Sequence, residues 1–144
     1  MYGALLTALT ESAERVIAAA LATVPRPAPE WPPQTVLGHL ADVDVQVWHA
    51  RVRLMLEAQG NGGPPPLFPS WEPDAASTQE RYDGLSGSEA AEVLRASRRD
   101  LVRELSTLSE SQWLATARHA AWGPIDLPAL LDHALGHDDE HMPR

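Results

Sequence analysis

A chain of 144 residues, 44% of them apolar, is long enough for a real core and fits one domain, expected to span residues 1–144. Its net charge is −9, every cation is an arginine, and it has no cysteine. Disulfide scaffolds, thiolate nucleophiles and cysteine-ligated zinc are therefore excluded, and nucleic acid is not expected as a partner.

Leucine and alanine dominate the apolar fraction, and both lose little side-chain freedom in a helix, so the expected class is all-α. The first helix is expected from about Ala4 to Val24, with Leu6, Leu9, Ala13, Val16 and Ala20 at the 3-4-3-4 spacing of a bundle seam. This segment is apolar enough to suggest a leader. It lacks a basic start, however, and carries Glu11, Glu14 and Arg15 in its middle, so it reads as an amphipathic helix. Pro25, Pro27, Pro29, Pro32 and Pro33 then impose a stiff connector.

A second helix starts near Pro33, whose fixed φ suits a first turn, and ends near Gln59 and Gly60. Its stripe is Val36, Leu40, Val43, Val47, Ala50 and Leu54. The Gly/Pro-rich stretch from Gly60 to about Thr78 carries Leu67, Phe68 and Trp71, too apolar for a solvated tether. It is expected to fold back over the bundle as a lid.

Ser86 and Glu89 form a capping box that opens the third helix, with Ala90, Leu94, Ser97, Leu101, Leu105 and Leu108 on its inner side. Arg95, Arg98, Arg99 and Arg103 alternate with Glu92, Asp100 and Glu104 and read as a solvated face. Residues 109–113 suggest a short helical turn. A loop through His119, Trp122, Gly123 and Pro124 leads to a fourth helix capped by Asp126, with Leu127, Leu130, Leu131, Ala134 and Leu135 buried. No strand is expected. The fold class predicted is a four-helix bundle with a long crossover loop between helices 2 and 3.

Histidines 133, 137 and 141 are spaced four apart on the fourth helix, and each step of four advances about 40° round the axis. His137 and His141 lie at the edge of the apolar face, whereas His133 is rotated roughly 120° from its centre. His39 lies beside Val36 and Val43 on the second helix. A lone histidine there is more often a hydrogen-bonded core residue, but antiparallel helices could bring it to the His137–His141 pair. Three histidines leave coordination positions open on a divalent metal, as catalytic sites do. His49 points to the other side of its helix and His119 falls in a loop. Both read as surface or structural residues.

The ordered set Trp31, Gly38-His39-Leu40-Ala41-Asp42, Pro69-Ser70-Trp71, Gly123-Pro124 and His137-Asp138-Asp139-Glu140-His141 resembles the DinB-like superfamily of metal-binding four-helix bundles from Trp31 onward. The resemblance implies a divalent ion, zinc or nickel, on His39, His137 and His141. It also implies a metal-dependent enzyme, either a thiol S-transferase using a low-molecular-weight thiol or a hydrolase. Asp42, Asp138 and Gln46 are candidates to orient the ligands. The other readings are a non-catalytic metal-binding stress-response protein and a metal-free bundle with a surface histidine cluster. The expected partners are a small-molecule substrate and, in a homodimer, a second copy. With no run of ~18 uncharged apolar residues no membrane is expected, and the default location is the cytoplasm.

Overall fold

A computed structural model describes residues 2–22 and 30–142. Four long helical segments form the bundle: α1 (Gly3–Ala22), a rod made of α2 (Pro33–Val43), a π-helical segment (Asp44–His49) and α3 (Ala50–Gly60), then α5 (Gly87–Leu105) and α6 (Leu127–Glu140). A short α4 (Ala75–Tyr82) lies in the crossover. The expected end of the first helix at Val24, and Pro25, Pro27 and Pro29 of the connector, lie outside the described residues.

The expected caps are present. Ser86 and Glu89 exchange hydrogen bonds of 3.1 and 3.0 Å, and the Asp126 carboxylate accepts from the Ala129 amide at 2.9 Å. Ser109 and Gln112 form a second reciprocal pair, which opens a single 3₁₀ turn (Gln112–Leu114).

The second helix departs from a constant period. Its backbone stays helical through both junctions of the π segment, but the wider turn there inserts one extra residue. The inward stripe therefore slips by one. Arg51 and Met55 are buried where Ala50 and Leu54 were expected, and Leu54 is 47% exposed.

Three strands among the described residues correct the expectation of none. Residues Thr116–His119 (β2) and Gly123–Asp126 (β3) make an antiparallel hairpin, and Leu67–Phe68 (β1) pairs in parallel with β2, Phe68 opposite His119. Pro124 is tolerated because β3 is an edge strand. The strands are too short to show a period of two in sequence. The crossover does fold back, but of the three apolar residues expected to cover the bundle only Phe68 is buried; Trp71 is half-buried and Leu67 is 70% exposed.

Two apolar layers fill the bundle. One is built on Ala13, Val16, Ile17, Leu37, Leu40 and Leu94, the other on Leu9, Val47, Met55, Leu101, Leu130 and Leu131. Between them lies a polar layer to which each of the four helical segments contributes one buried residue: Ser12, Asp44, Arg98 and Asp138. Arg98 donates to Asp138 at 2.8 and 3.0 Å and to Asp44 at 3.1 Å, and Ser12 donates to Asp138 at 2.7 Å. Arg98 also reaches the Leu9 carbonyl at 2.8 Å. Arg98 is thus a core residue, in correction of the solvated face expected for the arginine cluster. Arg99 and Arg103 remain exposed, and Arg95 is half-buried with Glu14 as partner.

Candidate metal centre

Two features aim His39 inward. Pro33 starts α2 at its first turn, and Gly38 lets the Tyr82 ring lie against the helix, where an added Cβ would come within 2.3 Å of it. His39 is consequently 2% exposed. On α6 the rotation is set one residue beyond His137, where the Asp138 carboxylate enters the polar layer and is held by Arg98 and Ser12. His137 and His141 then sit one turn apart on the side facing α2.

The three expected histidines come together. Ring centroids are 5.3 Å apart for His39–His137, 4.7 Å for His39–His141 and 4.6 Å for His137–His141. One nitrogen from each lies within 4.8 Å of the other two. The buried Nδ1 atoms of His39 and His137 have no hydrogen-bond partner among the described residues. That is not how a satisfied core histidine looks.

Burial, and then the neighbouring imidazoles, lowers the His39 pKa to about 3. Burial and His141 lower that of His137 to about 4, and burial lowers His141 as well. All three are neutral at pH 7, the form in which imidazole offers a lone pair. The donor set suits a divalent ion and leaves room for a further ligand.

The walls around the cluster are indoles. Trp31 meets the His39 ring edge-on at 5.3 Å, Trp71 stacks over it at 6.3 Å, and Trp48 approaches His137 at 6.2 Å. The crossover therefore covers the histidine end of the bundle, which sequence could not specify. Of the candidate orienting groups, Asp42 is taken by the Tyr82 hydroxyl at 2.5 Å and by Arg81, Asp138 by Arg98 and Ser12, and Gln46 is exposed. None of the three hydrogen-bonds a ring of the cluster.

The other histidines have separate employment. His133 stacks on Trp122 at 3.6 Å, and Trp122 stacks in turn on His119 at 3.6 Å. His119, expected in a loop, stands on β2 and is buried, its Nδ1 accepting from the amides of Ala121 and Trp122 at 3.0 and 3.3 Å. His49 is mostly covered and bonds Glu104.

A cavity of about 230 Å3 opens beside His137, lined among others by Trp48, Arg51, Trp71, His119 and Trp122. Arg51 was not legible as a lining residue because the π segment turns it inward. A larger groove of about 380 Å3 runs between α1 and α5 and contains no histidine.

A family model described as the DinB superfamily matches residues 4–143. A search of curated proteins finds no match. Among solved structures, YfiT from Bacillus subtilis is described as a probable metal-dependent hydrolase with an unusual four-helix bundle topology. It matches with a TM-score of 0.69 at 20% identity, covering 96% of this chain and 79% of its own.

Proposed function

This chain belongs to the DinB superfamily, and from that premise we propose that His39, His137 and His141 hold one divalent metal ion, zinc or nickel, at the centre of an enzyme acting on a small molecule. The observation that carries the reading is the convergence of three neutral imidazoles, two of them with buried Nδ1 atoms that have no hydrogen-bond partner among the described residues. When bound, such an ion lowers the pKa of a water or a thiol, the chemistry shared by hydrolysis and thiol S-transfer. The protein's own residues do the rest. Trp31 and Trp71 keep water from His39, and the Arg98–Asp138 pair fixes the rotation from which His137 projects.

Catalysis is favoured over a non-catalytic metal-binding stress-response role by the cavity that adjoins His137, since metal binding alone has no need of a lined space beside its ligands. The test is metal content per chain after dialysis. Wild type is expected to hold one equivalent, and His39→Ala to lose affinity by more than about tenfold. Wild-type content in His39→Ala would place the metal elsewhere. Activity is then sought with ester and amide substrates and with thiol conjugation, each with and without metal.

A further inference from the structure

Arg51 is 7% exposed and lies in the lining of the cavity beside His137. Its guanidinium stands over the Phe68 ring at 5.1 Å and donates one bond, from Nη2 to the Pro69 carbonyl at 2.6 Å. Among the described residues no carboxylate pairs with it, although the chain carries an excess of acids. Contrast Arg98, which is more deeply buried and faces two carboxylates. Leaving a desolvated cation without an anion is costly, and an anion arriving from outside would relieve that cost.

The rest of the lining is consistent with that role. His119 accepts backbone hydrogens at Nδ1, so its neutral ring carries a hydrogen on Nε2 and adds a second donor. Ser70 adds a hydroxyl, while Val43, Val47 and the three indoles supply apolar wall. Among the described residues no acidic side chain is in the lining. One cation among apolar walls matches a single negative charge on a flat or apolar body, and the planar guanidinium fork matches a carboxylate.

We propose that this cavity is the substrate's anchoring subsite: Arg51 binds the carboxylate of a small aromatic or apolar acid, whose other end then lies toward His137. The inference rests on the metal-centre reading for its role in turnover but not for binding itself.

The experiment is calorimetric titration of the full chain, metal-loaded and EDTA-treated, with benzoate, phenylacetate and 3-phenylpropionate and with their amides. At least one acid is expected to bind saturably and about tenfold or more tighter than its amide, with or without metal. Arg51→Met is expected to abolish that preference while metal content stays at the wild-type level. Because Arg51 also braces Phe68 and Pro69, Arg51→Lys serves as the second variant. It keeps the charge without the fork and is expected to retain part of the preference.

Equal binding of acids and amides overturns the proposal, as does an acid preference that survives in Arg51→Met. Failure of all three acids to bind wild type overturns it too. Acid binding that disappears with EDTA yet tolerates Arg51→Met would place the carboxylate on the metal, refuting this subsite and supporting the metal centre. Arg51-dependent binding in a chain that holds no metal would do the reverse.

Discussion

A Cβ added at Gly38 would lie 2.3 Å from Cγ of the Tyr82 ring, well inside contact distance. Alanine is the better helix former by about 1 kcal/mol, so propensity alone would make Gly38→Ala stabilising. Overpacking costs about 1–3 kcal/mol, and here it also tears the Tyr82 hydroxyl from Asp42. Net destabilisation is therefore expected in urea unfolding, and a rise in stability would show that the ring moves freely.

Tyr82 carries its own pH signature. Burial, reinforced by the bond to Asp42, lifts its pKa to about 12. Between the ordinary tyrosine value of about 10 and that value, the unfolded chain gives up a proton that the folded chain keeps. Stability should accordingly fall as pH rises through this window, and the fall should be smaller in Tyr82→Phe. Identical alkaline profiles for the two proteins would refute the linkage. At the same scale, His133→Ala is expected to leave metal content unchanged while His137→Ala removes it, since His133 is spent on Trp122. Helical angles were enough to separate these histidines in sequence, because α6 keeps its period to Glu140.

Period is also what failed in the second helix. Counting by 3.6 placed Leu54 inside, and the π segment turned Met55 inside instead. A side-chain swap reads this directly. Met55→Ala should cost about 2–5 kcal/mol, whereas Leu54→Ala should stay within about 0.5 kcal/mol. The reverse order would mean an uninterrupted α-helix. No residue pattern over Asp44–His49 announces a π turn, because such a turn is selected by what it does to Asp44, Arg51 and Met55 in the folded bundle. The same holds for α4. Asp74 accepts from the Ser77 amide at 3.0 Å in an ordinary cap, yet only Thr78 and Tyr82 of that helix are buried, too few to show amphipathicity. By contrast, the caps of α5 and α6 stand beside long apolar stripes and were legible together with them.

For the molecule as a whole, the polar layer decides between stability and uniqueness. Burial holds the Asp44 carboxyl above its ordinary range, against the pull of Arg98. Removing Arg98 strands two buried carboxylates, so Arg98→Met is expected to cost about 3–5 kcal/mol. Replacing the layer together, as Ser12→Ala, Asp44→Leu, Arg98→Met and Asp138→Leu, is expected to restore much of that stability. The replaced layer no longer dictates the rotation of α6, so metal affinity should stay low. Guanidinium melts and metal content on both variants check this. Recovery of metal binding in the apolar variant would show that packing alone orients His137.

The parallel pairing of Phe68 with His119 sets an order of events as well as a shape. It closes a long loop of chain, and its partner strand belongs to the hairpin just before the last helix. Contacts of that separation carry a large closure entropy and form late. The indole of Trp71, three residues past Phe68, thus reaches His39 after the helices have collapsed. During refolding, tryptophan fluorescence should change in a phase slower than the recovery of helical ellipticity, and Trp71→Phe should remove most of that slow amplitude. If His39, His137 and His141 hold the proposed ion, metal captured before this phase would find the three imidazoles still open to water, and would leave again as readily as it came.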